Sequence, residues 1–187
     1  PPTARPDSLA AQADVAAVRF VSKTEGVEKL EDIVALKGDV FVASSIDCPS
    51  PFYISKCPVT QKEWIDIMGA NPSEFNANVR SPVENVSWYD AVEFCNFRSE
   101  RDGFEPCYKK KGEMLICDFA KNGWRLPRLS EWIKIYKECS MRDFDSSWLG
   151  ENSDGKTHPV GYKKPTPRGI YDVIGNVSEW LFDWSDP

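Results

Sequence analysis

Gly123-Trp124-Arg125-Leu126-Pro127-Arg128-Leu129-Ser130-Glu131-Trp132 is the stretch on which the fold turns. Trp124 to Leu126 reads as a brief strand, and Pro127 ends it because proline cannot donate to a ladder. Beyond it Leu129, Trp132, Ile133, Tyr136 and Cys139 recur at helical spacing. That stripe predicts a helix over about 129–139 with one apolar face.

Two further helices announce themselves upstream by their first turns. In Thr60-Gln61-Lys62-Glu63 the threonine can accept from the N–H three residues on while the glutamate reaches back. Trp64, Ile67 and Met68 follow at helical spacing, and Gly69 suits the positive φ of a helix C-terminus, so residues 61–68 are expected to be helical. Ser87-Trp88-Tyr89-Asp90 repeats the device, with Trp88, Ala91, Val92 and Cys95 as the apolar stripe.

Between the helices the signals are for short strands and irregular chain. Residues 39–43 and 52–56 are β-branched and aromatic, and Pro49, Ser50 and Pro51 separate them. Residues 106–108 and 114–117 flank Lys109–Glu113, which contains Gly112, and this predicts a hairpin with a solvated lysine tip. Cys107 and Cys117 are expected to face each other across it, where a disulfide would have to meet demanding geometry. Residues 169–173 and 177–184 read as extended, and 150–169 as a Gly- and Pro-rich loop region. Residues 16–38 read as a short strand or helix, and residues 1–15 as a tail. The βαβα rhythm of a doubly wound sheet is absent, so the class is α+β.

The chain has 187 residues, 41% hydrophobic and 12% aromatic, with seven tryptophans and ten phenylalanines, enough for a packed core. Its formal charge of -6 repels phosphate backbones and argues against nucleic acid. No run is long and apolar enough to span a bilayer. The six cysteines contain no Cys-x-x-Cys pair, and His158 is the one histidine, which disfavours structural zinc.

Five segments in order resemble the sulfatase-modifying-factor family, whose best-known member is the formylglycine-generating enzyme. They are Pro58–Trp64, Pro82–Ala91, Gly123–Pro127 with Glu131-Trp132, His158–Gly161 and Gly175–Trp180. The resemblance covers about residues 39–187 and implies a C-type-lectin-like fold, loop-rich with short helices and strands. The expected organisation is a tail over 1–15 and one domain over 16–187 that lacks the family's C-terminal segment. Three departures stand out. Ser178 replaces a tryptophan, Arg128 replaces a helix-capping threonine, and the copper-binding cysteine pair of the enzyme has no counterpart at a matching position.

The resemblance also implies a calcium site, with ligands carried over by position as the Asp172 and Glu179 side chains and the Gly175 and Val177 carbonyls. Two carboxylates and bent backbone supply hard oxygens of the kind calcium takes. The competing reading is that both carboxylates hydrogen-bond the turn. Copper enters only if a further segment supplies cysteines. Asn85-Val86-Ser87 and Asn176-Val177-Ser178 match a glycosylation pattern but lie inside family motifs, and they are read as structural. A carbohydrate platform of Trp148 and Trp184 is a weaker reading.

The expected function is therefore a non-catalytic module binding an unknown protein or small ligand, with no catalytic residue assigned. One version is the variable proteins of diversity-generating retroelements, which display binding residues on this fold. An extracytoplasmic or cell-surface location goes with it. The alternative is an oxidase of sulfatase cysteines whose catalytic segment lies elsewhere, and a third is an interaction domain of a signalling protein.

Overall fold

The computed structural model describes residues 16–17, 21–23, 39–43, 45, 48, 50–139 and 144–183. Its helices start where local side chains satisfy the exposed first-turn N–H groups. Thr60 Oγ1 accepts from the Glu63 N–H at 3.2 Å while Glu63 Oε2 accepts from the Thr60 N–H at 2.9 Å, opening α1 (Gln61–Met68). Gly69 closes it at φ 83°. Ser87 and Asp90 make the same reciprocal pair, at 3.2 and 2.9 Å, ahead of α2 (Trp88–Arg101).

The third helix, α3 (Leu129–Tyr136), begins differently. Arg128 stands at its N-cap, and a guanidinium has no acceptor to offer. Glu131 Oε2 accepts the Arg128 N–H at 2.7 Å, and the Asp183 carboxylate, 54 residues on, accepts the Leu129 N–H. The Arg128 guanidinium lies over the Phe119 ring, 3.6 Å from its centroid. The cap expected to be lost is thus replaced in part from the other end of the chain. The helix also stops at Tyr136, short of the expected 139.

The strands are short. β1 (Ala16–Ala17) runs parallel to β7 (Ser178–Glu179). β2 (Val21–Lys23), β4 (Phe52–Ser55) and β3 (Asp39–Val42) form an antiparallel sheet in the order β2-β4-β3. β5 (Tyr108–Lys111) and β6 (Met114–Cys117) form a hairpin in which Lys111 pairs with Met114. Only Gly112 and Glu113 remain in the turn, and Gly112 has φ 64°, as a two-residue hairpin with glycine first requires. The three lysines expected in the loop are therefore strand residues, because the tight turn leaves them opposite β6. The register sets Tyr108 across from Cys117, so Cys107 sits one residue outside the expected pairing. Trp124–Pro127 and 169–173, expected as extended, form no named strand. The predicted tail and Trp184 lie outside the described residues.

Two apolar clusters result. The first joins α1, α2, the base of the hairpin and the Trp124–Leu126 segment, with Trp64 stacked on Phe94 at 4.9 Å between centroids. The second joins β3, β4, α3 and the 170–173 segment through Val42, Phe52, Ile54, Ile135, Ile170 and Val173. Between the two lies a buried ion pair. Arg125 donates to Glu131 twice, Nη1 to Oε2 at 2.8 Å and Nη2 to Oε1 at 2.7 Å, with both side chains under one-tenth exposed.

Removing one partner of such a pair leaves a buried charge, so Glu131→Ala is expected to cost about 3 kcal/mol of stability by urea unfolding. An effect below about 1 kcal/mol would show that the pair is not the clasp it looks to be.

A second carboxylate gives a pH signature. Burial pushes the Asp39 carboxyl up to about 7, against the pull of Arg98. Its folded pKa lies above the unfolded value, so its contribution to stability is full below about pH 4 and is lost as pH rises through 7. Asp39→Asn should match the parent near about pH 4 and exceed it by on the order of 1 kcal/mol at about pH 8. Equal stability at both pH values would contradict this.

Candidate functional site

The segment 144–182 is held by side chains bonding backbone, with the two-residue strand β7 as its one regular element. Asp172 is 3% exposed, sits at φ 52°, and its Oδ2 accepts the Gly161 N–H at 2.8 Å. The turn-holding hydrogen bond expected as one reading of Asp172 is present. Gly175 has φ 82°, and a Cβ built on it would stand 2.0 Å from the Trp148 carbonyl oxygen. Only glycine admits so close an approach. The Asn176 N–H then reaches the Trp148 carbonyl at 2.8 Å.

Asn176 itself is left-handed at φ 62°, and its side chain accepts the His158 N–H at 2.9 Å and donates to the His158 carbonyl at 3.0 Å. Its amide is thus committed to the fold, in line with the structural reading of that motif. His158 stacks on Trp148 at 3.8 Å, and Lys163 Nζ lies 4.1 Å from the Trp148 centroid. With those neighbours Trp148 is a packed residue, not an open carbohydrate platform. His158 Nε2 lies 2.9 Å from the Ser153 carbonyl.

The structure places Asp172, Gly175 and Val177 in one turn, where the Val177 N–H reaches the Gly175 carbonyl at 2.8 Å. Glu179 follows in β7, paired with Ala17. Among the described residues no three His, Cys, Asp or Glu side chains gather as metal ligands.

Asp172 also borders a cavity of about 310 Å³. Its walls are Glu138 and Cys139 after α3, Ser146 and Ser147, the 164–167 loop, and the 170–174 segment. Ile170 and Val173 are among its apolar lining residues. Ser147 is 1% exposed, and its Oγ has no hydrogen-bond partner among the described residues. Charged pairs mark the rim, Lys164 with Asp145 at 2.7 Å and Arg168 with Glu138 at 2.6 Å. The Thr166 backbone and hydroxyl close the loop onto Ile170 at 2.8 and 3.2 Å. A volume of this order suits a small ligand or one side chain. Sequence reading flagged Asp172 and the Gly- and Pro-rich loop but not Ser147, because a lone serine carries no periodic or motif signal.

Comparisons with known proteins bear on the family and the fold. Residues 20–187 match the sulfatase-modifying factor enzyme 1-like domain. The chain is 31% identical to the chaperone protein LppX of Paenibacillus barcinonensis, over 92% of this chain and 78% of that protein. It is 29% identical to the formylglycine-generating enzyme of Mus musculus over 65% of this chain, and that match spans 34% of the enzyme's length. Among solved structures, Treponema denticola variable protein 1 superposes with a TM-score of 0.66 and 30% identity, covering 79% of this chain and 70% of the other.

Proposed function

The chain belongs to the sulfatase-modifying-factor family, with the fold of its formylglycine-generating-enzyme-like members, and from that premise we propose that it is a non-catalytic recognition module. It takes a small ligand, or a side chain of a protein partner, into the cavity beside Asp172. The observation that carries this reading is the cavity itself: about 310 Å³, with apolar Ile170 and Val173 and polar Ser147 and Asp172 among its lining residues. Pockets with a few fixed polar groups on an apolar lining are the common form of ligand site. One relative is named a chaperone protein and another a variable protein, and both names suit partner binding. Fold alone would not choose, since one scaffold hosts many activities.

Two buried cysteines argue in the same direction. Copper-dependent oxidation of a thiol runs through thiolates. Burial pushes the Cys95 thiol up, and burial also raises Cys48. Both lie in the apolar clusters rather than at the cavity.

Two readouts on the same preparation test the proposal. Supplied with copper and a sulfatase-type cysteine peptide, the chain is expected to leave the cysteine unconverted; formation of the aldehyde would establish the oxidase instead. Titrated with a library of small polar fragments and followed by amide NMR, it should show shifts centred on Ser147, Thr166, Ile170 and Val173. Shifts elsewhere, or none, would remove the site.

We further propose that the 172–179 turn holds calcium. The donor set fits in kind, with carboxylates from Asp172 and Glu179 and carbonyls from Gly175 and Val177. It offers fewer ligands than calcium usually takes, so water would complete the shell. The ion would neutralise the buried Asp172 charge. Melting in about 1 mM calcium should exceed melting in chelator by several degrees, by linkage. Identical curves would dismiss the ion.

A further inference from the structure

The loop around His158 is basic within an acidic chain. Residues 155–169 hold Lys156, Lys163, Lys164 and Arg168 and no Asp or Glu, while the whole chain carries a formal charge of -6. Three of these cations have carboxylate partners: Lys156 with Asp154 at 3.8 Å, Lys164 with Asp145 at 2.7 Å and Arg168 with Glu138 at 2.6 Å. Among the described residues Lys163 has none. Its ammonium lies over the Trp148 ring and donates to the Phe144 carbonyl, and neither contact brings an opposite charge.

A second cation with no carboxylate partner among the described residues arrives from the turn that the Ser81 N–H closes on the Asn78 carbonyl at 2.8 Å. The Arg80 guanidinium stands over the Tyr162 ring, 5.8 Å from its centroid, and the Arg80 carbonyl accepts the Val160 N–H at 3.1 Å. Tyr162 is 64% exposed, and the flanking Val79 and Phe144 are exposed as well. The backbone is anchored on both sides of the tyrosine, the Gly161 N–H on the Asp172 carboxylate at 2.8 Å and the Lys164 N–H on the Asp145 carbonyl at 3.0 Å. An exposed aromatic on a fixed loop loses little freedom when a partner covers it.

We infer that the surface formed by Arg80, Tyr162 and Lys163 docks an acidic protein segment in which an apolar side chain sits between carboxylates. The apolar side chain covers Tyr162, and the carboxylates reach Arg80 and Lys163. Stacking on the ring holds the guanidinium fork in place for a two-pronged carboxylate contact. Tyrosine and arginine are also the residue types that carry most of the energy at interface centres. The overall negative charge does not prevent this, because charges more than about 8 Å away are largely screened at physiological salt and the local cations decide. The same net charge disfavours a nucleic acid, whose run of phosphates would extend past the patch along an acidic chain. None of the three residues lines the cavity beside Asp172, so the inference does not rest on the small-ligand reading.

The test uses the full chain and an amidated synthetic peptide with one tryptophan between two pairs of glutamates, followed by amide NMR and fluorescence anisotropy. Shifts are expected at Val79, Arg80, Tyr162 and Lys163, with binding that weakens as salt is raised. The same peptide with lysines in place of the glutamates should not bind. Arg80→Glu and Tyr162→Ala should each weaken binding by about tenfold or more. Both side chains are exposed, so the melting temperature of each variant should stay at the parent value. Shifts centred on Ser147, Thr166 and Ile170 would put the peptide in the cavity, overturning this surface while leaving the cavity reading intact. Equal binding of the lysine peptide, tighter binding of a single-stranded oligonucleotide at these residues, shifts centred on Lys109, Lys110 and Lys111, or no binding at all would also overturn it.

Discussion

The paired charges of Arg125 and Glu131 are the constraint around which the molecule is arranged. Two ions taken out of water lose more in hydration than their attraction returns unless the geometry is close and the remaining polar atoms are bonded. Here the contact is two-pronged, Glu131 Oε2 also takes the Arg128 N–H, and Arg125 Nη1 gives to the Leu126 carbonyl at 3.2 Å. The flanking residues Trp124 and Leu126 belong to one apolar cluster, and Ile135 of α3 belongs to the other. The pair thus ties the Trp124–Leu126 segment of one cluster to the helix that carries Ile135 of the other. It also sets the first turn of α3, from whose far end the cavity wall continues through Glu138 and Cys139.

A chain with so little regular structure must satisfy its backbone by other means. Among the described residues, those other than glycine with positive φ are Asn85, Asp154, Asp172 and Asn176, short polar side chains that tolerate the left-handed region best. Asn85 and Asn176 each donate a side-chain hydrogen bond to a distant backbone carbonyl, and Asp172 accepts one from a distant N–H. Such bonds give partners to backbone groups that no ladder reaches. A cavity walled by these loops is preformed, which spares a ligand the entropy of ordering its site.

The helices were legible because their signals are local. Thr60 with Glu63 and Ser87 with Asp90 encode their own starts within four residues. The hairpin was legible in place but not in detail: three consecutive lysines read as a loop, since charge lowers strand propensity and the pairing that overrides it comes from β6. The start of α3 misled for the opposite reason. Arg128 reads as a missing cap, and the replacement, Asp183, lies too far along the chain for any local pattern to reveal. The cavity was half legible. Asp172 came with a motif, whereas Ser147 became part of the wall only through packing between segments that are far apart in sequence. Gly175 was visible as a glycine, but its reason, the Trp148 carbonyl beneath it, was not.

If side-chain clasps order the loops, amides in irregular chain must resist exchange. Native-state hydrogen exchange at Gly161, Asn176, His158, Trp124 and Leu126 measures this directly. Each of these N–H groups has a fixed acceptor: Asp172, Trp148, Asn176, Ser99 and Tyr108 respectively. Protection at the level of the α2 interior is the result expected from this arrangement. Exchange at the rate of free chain, with α2 protected, would mean that the loops and the cavity they enclose are not a built structure.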